Sequence, residues 1–168
     1  MKKIVLVVGQ SAVGKETFIK KVCAGNLDII LNLGWQNFNI VHSKSSIEIL
    51  KNIKDKNRFA QILEDINILD IDNNIILIKF QLVDLEENCF VKIKELFPNS
   101  EHLIVYLSAT KVQICSRLTS KEWWSEKEIG TDFLDTEKEI FNNQILNKEI
   151  YFHKIKVDSD DNFNYRIQ

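Results

Sequence analysis

The chain has 168 residues, a length that suits one domain of ordinary size. Its apolar content of 45% and charged content of 27% predict a packed core under a polar surface. The formal net charge of −2 at pH 7 argues against nucleic acid as an electrostatic partner. No apolar run approaches the length of a membrane span, and the short run after Lys3 is too brief for a signal peptide. We therefore expect a cytoplasmic protein with no membrane and no nucleic-acid partner.

The cysteines agree with that location. Cys23, Cys89 and Cys115 are widely spaced and form no C-x-x-C pair. This spacing predicts buried, small apolar residues in a reducing compartment, not a disulfide framework or a metal site.

The first motif follows the apolar run at 3–8. Residues 9–17 match the glycine–lysine core of the phosphate-binding P-loop, G-x-x-x-x-G-K-[ST], and read Gly9, Gln10, Ser11, Ala12, Val13, Gly14, Lys15, Glu16, Thr17. An apolar β-branched run precedes the motif and a helical pattern follows it, so backbone N–H groups should point into one concavity. Gly9 and Gly14 let the backbone turn, and Lys15 can reach the outer phosphates of a nucleotide. We predict a phosphate site there.

One position departs from the P-loop pattern. Glu16 stands where Ser or Thr holds Mg²⁺, and Thr17 follows one place later. A glutamate in the first helical turn can hold Mg²⁺ through a carboxylate oxygen or through water. Alternatively, it merely complements the positive end of the helix. The sequence leaves both interpretations open.

The rest of the chain alternates between predicted helices and strands. A helix over 16–24 should end at Gly25, and the apolar stretch 27–34 is ambiguous. Capping-box patterns predict further helices beginning at Ser45, Thr110 and Thr136. Two more helical patterns lie at 59–66 and 89–97, the second ending at Pro98. Five apolar runs predict strands, at 3–8, 38–42, 75–80, 103–107 and 152–157.

This alternation predicts an α/β fold. Strands separated by helices imply right-handed crossovers, and hence a mostly parallel five-stranded sheet with helices on both faces. In such open sheets a ligand lies at the carboxyl ends of the strands, which is where the P-loop falls.

The whole pattern resembles the P-loop kinases of small molecules, the nucleoside monophosphate kinase-like group that includes guanylate and adenylate kinases. The loop at 9–17 is similar to that group's G-P-S-G-x-G-K-[ST]-T, with Gln10 and Ala12 in place of its proline and of the glycine after its serine. The run 103–109 leads into a helix that ends in Arg117 and Leu118, and this pair of elements is similar to the one that precedes the lid in those kinases. The run 154–158 is similar to their last strand. The resemblance implies a three-layer P-loop NTPase fold as one domain over 1–168, with a lid at about 119–131.

The resemblance also implies an activity. It suggests an ATP-dependent phosphotransferase that uses Mg²⁺ and moves the γ-phosphoryl group to a nucleotide or another small metabolite. Lys15 and Arg117 would act on the transferring phosphoryl group, although Arg117 can also be read as a helix-end cation. Arg58, one of three arginines, would clamp the acceptor or remain solvated. Asp84 would hold Mg²⁺ or solvate a loop, because the group's acid usually follows the apolar run directly and residues 79–81 intervene here.

Two other functions are open to a chain with a P-loop motif. A GTPase is disfavoured because the chain has neither an N-K-x-D nor a D-x-x-G motif. A nucleotide-binding regulatory P-loop protein with little or no kinase activity is favoured by Glu16 and by the absence of an acid directly after the central strand. The expected partner is a small-molecule phosphate acceptor, and the expected assembly is a monomer or a homodimer.

Overall fold

The computed structural model describes residues 3–42, 74–79, 98–120, 133–143, 152–157 and 164–168. Strands and helices alternate along these residues. The described strands are β1 (Lys3–Gly9), β2 (Asn39–His42), β3 (Asn74–Lys79), β4 (Glu101–Ser108), β5 (Phe152–Val157) and β6 (Tyr165–Ile167). The described helices are α1 (Lys15–Cys23), α2 (Leu27–Asn32), α3 (Lys111–Thr119) and α4 (Phe133–Phe141).

The strands form one sheet in the order β2-β3-β1-β4-β5-β6. The first five are parallel to one another, and β6 runs antiparallel to β5. All five predicted strands and the mostly parallel sheet are confirmed. The prediction of five strands omitted β6, because three residues that follow a polar stretch carry no readable alternation.

The sheet is buried on both faces, as a parallel sheet requires. Because side chains alternate along a strand, Val5 and Val7 of β1 pack with α1 and α2, and Ile4, Leu6 and Val8 are buried on the opposite face. On that face the ring of Tyr106 stacks on Phe141 of α4, with ring centroids 3.8 Å apart. Helices therefore cover both sides, and the predicted α/β class is confirmed.

Helices α1 and α2 both end at a glycine in the left-handed region. Gly25 has φ of +87° and Gly34 of +70°. In each case two amides close back onto the helix, as when Asn26 donates to the carbonyl of Lys21 at 3.0 Å. The predicted end of α1 is confirmed, and the ambiguous stretch 27–34 contains helix α2. Cys23 corrects one expectation, because the last turn of α1 leaves it exposed and its thiol free.

Helix α3 begins as the sequence predicts. The Thr110 side chain accepts from the Gln113 amide at 3.3 Å, and the Gln113 side chain accepts from the Thr110 amide at 3.0 Å. The capping box predicted at Thr136 is wrong, because α4 already includes Phe133. Its buried stripe of Leu134, Glu137 and Ile140 places Thr136 inside the helix.

The helices predicted at 45–53, 59–66 and 89–97 lie outside the described residues. None of the helices in the described ranges has both the length and the apolar character needed to cross a membrane.

Candidate functional site

The loop from Gly9 to Gly14 leaves the carboxyl end of β1 and enters α1. Gly9 cannot carry a side chain, because a Cβ there would lie 2.7 Å from the Leu107 carbonyl oxygen and 2.8 Å from Val13 Cγ1. The carbonyl belongs to the neighbouring strand β4, so it has little freedom to move aside. The first glycine of the motif therefore permits close contact between the loop and the sheet.

The backbone of the loop twice enters the left-handed region. Gly14 has φ of +106° and Ala12 of +59°. Ala12 occupies the position of the second glycine in the kinase loops that the sequence resembles, and its positive φ explains why glycine suits that position. Val13, fully buried, fixes the loop onto the core, and its amide donates to the Gln10 carbonyl at 3.2 Å.

The first turn of α1 has no side-chain cap. Its N-cap residue is Gly14, which offers no side-chain acceptor. By contrast, Asn26 caps α2 and Thr110 caps α3, each through a side-chain oxygen. The amides of an uncapped first turn, together with the positive end of the helix dipole, favour an anion.

Lys15 folds back over the loop. Its ammonium group donates to the carbonyl oxygens of Gly9 at 2.8 Å and Gln10 at 3.0 Å. The lysine predicted to bind phosphate therefore lies against the loop that would hold the phosphate.

A carboxylate from α4 contacts the first part of the loop, and sequence reasoning missed it. Glu137 is 8% exposed. Its oxygens accept from the Ser11 amide and from the Ser11 hydroxyl, both at 2.9 Å. Beside it, the Gln10 side chain donates to the Leu134 carbonyl at 2.7 Å. The only sequence signal was an acidic residue directly after Thr136, where the helix start was predicted.

Arg117 and Tyr165 contact the carbonyls of the same loop. Arg117 Nη1 donates to the Val13 carbonyl at 3.2 Å and to the Ala12 carbonyl at 3.4 Å. The Tyr165 hydroxyl donates to the Gly14 carbonyl at 3.0 Å. Burial raises the pKa of Tyr165 well above its ordinary value, and the nearby Arg117 offsets part of that rise. The structure therefore brings Arg117 to the P-loop, while its action on phosphate stays a prediction.

Glu16 is placed between two lysines. Its Oε1 lies 3.0 Å from Lys20 Nζ on the next turn of α1, and its Oε2 lies 3.5 Å from Lys79 Nζ at the end of β3. The hydrogen bond from Lys20 and the charge of Lys79 hold the pKa of the Glu16 carboxyl below its ordinary value. Within the described ranges, no three His, Cys, Asp or Glu side chains gather as a metal site would require.

A cavity of about 340 Å³ opens beside the loop, between the end of β4 and helices α3 and α4. Gln10 of the P-loop lines it, the stacked rings of Tyr106 and Phe141 form part of its wall, and Lys138 contributes a positive charge. Its volume is at the lower end of small-molecule sites. No local pattern in the sequence indicates this cavity, because its walls come from distant segments.

The structure brings together the P-loop residues 9–17 and Arg117. Two other predicted site residues, Arg58 and Asp84, lie outside the described residues, as does most of the predicted lid. Their roles stay predictions.

No protein-family model matches the chain, and no curated protein matches it in sequence. Solved structures do resemble it. A sugar kinase from Janibacter sp. HTCC2649 is 12% identical with a TM-score of 0.51, covering 93% of this chain and 86% of that one. A shikimate kinase from Bacteroides thetaiotaomicron is 14% identical with a TM-score of 0.47, covering 90% of this chain and 85% of that one. A gluconokinase from Sinorhizobium meliloti 1021 is 13% identical with a TM-score of 0.47, covering 92% and 82%.

The sequence resemblance to P-loop kinases of small molecules agrees with the fold of the sugar kinase. The TM-score of 0.51 to the sugar kinase supports a shared fold. The P-loop NTPase fold predicted from the sequence is thereby confirmed. Identities this low show fold alone, and a fold does not determine a substrate.

Proposed function

We propose that this chain is an ATP-dependent phosphotransferase that moves the γ-phosphoryl group to a nucleotide or another small metabolite. The observation that carries the proposal is the uncapped first turn of α1 behind Gly14, with the Lys15 ammonium folded over the loop. In the other two helices whose N-caps are described, α2 and α3, the N-cap side chain accepts a hydrogen bond from an amide of the first turn. A nucleotide phosphate is the anion that a P-loop in this position holds.

The transfer needs positioning and charge more than covalent chemistry. An acceptor oxygen forms a bond to the γ-phosphorus while the bond to the β–γ bridging oxygen breaks. ADP leaves with that electron pair, and an acceptor hydroxyl releases its proton to solvent. Lys15 and the amides of α1 would hold the phosphates. Arg117, already at the loop, would stabilise the charge that spreads over the transferring group.

The magnesium ion expected with ATP does not fit the described part of the site. Both oxygens of Glu16, its predicted ligand, face lysine ammonium groups. Mg²⁺ prefers oxygen ligands in a strict octahedral arrangement, so it would have to displace at least one of those lysines. Asp84, the other predicted ligand, lies outside the described residues.

The cavity beside Gln10 is our candidate for the acceptor site. It adjoins the loop that would hold the γ-phosphate, and Lys138 gives it positive charge, whereas Lys111 in the same wall is paired with Asp135 at 3.0 Å. A ring wall with the Lys138 ammonium group suits a small acceptor that bears an anionic group. Thermal-shift screening with nucleoside monophosphates, nucleosides and sugar phosphates would identify its class, and Lys138→Ala should weaken any hit that binds there.

A nucleotide-binding regulatory protein with little or no kinase activity is the second candidate. The observation that favours it is the pairing of Glu16 with Lys79. At these two positions P-loop enzymes present a hydroxyl and an acid to Mg²⁺. A kinase should release ADP only when an acceptor is added. A regulatory protein would bind ATP without acceptor-dependent turnover.

The first test of the proposal is Lys15→Ala. We expect ATP affinity to fall by about tenfold or more, because the variant loses a charge-assisted contact to phosphate. Titration calorimetry measures this affinity. Lys20→Ala is the matched control, since Lys20 lies on the same helix with an exposed side chain. Unchanged ATP affinity in Lys15→Ala would count against the proposed phosphate site.

A further inference from the structure

Two positions of a P-loop protein normally hold the metal. One is the Ser or Thr after the lysine, and the other is an acid that follows the neighbouring apolar strand. In this chain the first position is Glu16. The residue that directly follows the apolar run 75–78 is Lys79. This chain therefore has a carboxylate where the hydroxyl is usual and an ammonium group where the acid is usual, and the two groups have opposite charges.

The fold places these two residues together. Strand β3 pairs with β1 so that Lys79 lies beside Val7, two residues before Gly9. Lys79 is therefore at the carboxyl edge of the sheet, where the P-loop begins. Its Nζ lies 3.5 Å from Glu16 Oε2, although 63 residues separate the two in sequence.

Each carboxylate oxygen of Glu16 lies beside a lysine ammonium group. Glu16 Oε2 faces Lys79, and Oε1 faces Lys20 at 3.0 Å. The side chain of Lys20 is 74% exposed, whereas that of Lys79 is 30% exposed. Lys79 is thus the more enclosed of the two cations, and it is the one on the sheet side of the loop.

We propose that the Lys79 ammonium, positioned by Glu16, supplies beside the bound phosphates the positive charge that a divalent cation supplies in other P-loop proteins. ATP binding by this chain is then independent of Mg²⁺. A lysine ammonium is a compact charge with three donors, which suits phosphate oxygens. This inference rests on the proposed function, because it requires ATP to occupy the P-loop.

The experiment measures the dissociation constant for ATP by calorimetry, once with excess EDTA and once with Mg²⁺. For the unmodified chain we expect values within about threefold of each other. Lys79→Ala should lose about tenfold or more in EDTA, as a charge-assisted contact to phosphate is removed. Lys20→Ala is the matched control, since it removes the other lysine that contacts Glu16, and its affinity should stay unchanged.

The double variant Glu16→Ser with Lys79→Asp tests the same idea in reverse. It restores a hydroxyl and an acid, so its ATP affinity should become dependent on Mg²⁺. Circular dichroism and melting temperature show whether each variant is folded. The comparison of ATP affinity in EDTA and in Mg²⁺ is made on the unmodified chain, so it does not depend on the folding of any variant.

Two results overturn the inference in distinguishable ways. If the unmodified chain binds ATP only with Mg²⁺, the role of Lys79 is wrong and the proposed function stands. If it binds ATP in neither condition, the proposed function fails and the inference fails with it.

Discussion

At the scale of single residues, the P-loop is held by groups outside the motif. Glu137 bonds the amide and the hydroxyl of Ser11, and Arg117 and Tyr165 bond the carbonyls of Val13 and Gly14. The first part of the loop is thus fixed by α4, which leaves the uncapped turn after Gly14 for an anion. The loop geometry therefore depends on residues that no P-loop pattern includes.

We predict that Glu137→Gln destabilises the protein by about 1–3 kcal/mol. An amide side chain has one acceptor oxygen, so one of the two half-buried Ser11 donors loses its partner. Chemical denaturation followed by circular dichroism measures the change in the free energy of unfolding. Glu139→Gln is the control, because Glu139 lies exposed on the same helix. Equal stabilities of the two variants would contradict the structural role of Glu137.

At the scale of elements, strand β6 connects the edge of the sheet to the start of α1. It pairs with β5 through Val157 and Tyr165. The Tyr165 ring packs edge-to-face on Phe18 of α1, with centroids 5.2 Å apart, and its hydroxyl reaches Gly14. A strand of three residues therefore supports the helix that would bind phosphate.

We predict that Tyr165→Phe costs about 0.5–1.5 kcal/mol of stability at neutral pH, because it removes one hydrogen bond and keeps the ring. Thermal or denaturant unfolding measures this loss.

The same substitution should change how the stability of the protein responds to alkali. Burial raises the pKa of Tyr165 in the folded protein, so the unfolded chain loses this proton first. The contribution to stability is present below the ordinary tyrosine pKa near 10 and falls as pH rises beyond it.

The difference in stability between the unmodified chain and Tyr165→Phe should therefore shrink between about pH 9 and 11. Burial also raises the pKa of Tyr106, but Tyr106 is present in both proteins and its effect cancels. A difference that stays constant over this pH range would show that Tyr165 ionises equally in both states.

At the scale of the whole molecule, the described sheet is most enclosed at its centre. Strand β1 pairs with β3 on one side and β4 on the other, and its residues from Ile4 to Val8 are fully buried. Strand β6 lies at an edge and pairs only with β5 among the described strands. Stability against local opening should therefore fall from the centre of the sheet towards that edge.

Hydrogen–deuterium exchange followed by mass spectrometry tests this gradient. We expect amides of β1 and β4 to exchange slowest and those of β6 to exchange fastest among the strands. If β6 were protected as strongly as β1, the edge would have to be covered or held more firmly than this sheet order implies.

The sequence by itself determined the elements whose signals are local. Apolar runs gave the five parallel strands, the glycines at 9, 14 and 25 marked the loop and the end of α1, and Thr110 with Gln113 predicted the start of α3. These predictions succeed because each depends on backbone conformation or on neighbours within one turn. The position of Arg117 at the loop followed only from the resemblance to kinases, and Thr136 misled because α4 begins earlier.

Only the tertiary structure decided which distant groups meet at the loop. Glu137 and Ser11 are 126 residues apart, Tyr165 and Gly14 are 151 apart, and Lys79 and Glu16 are 63 apart. Their pairing depends on strand order and on how helices cross the sheet, and no local pattern records either. Local signals place the P-loop motif between β1 and α1, whereas packing decides which charges surround it.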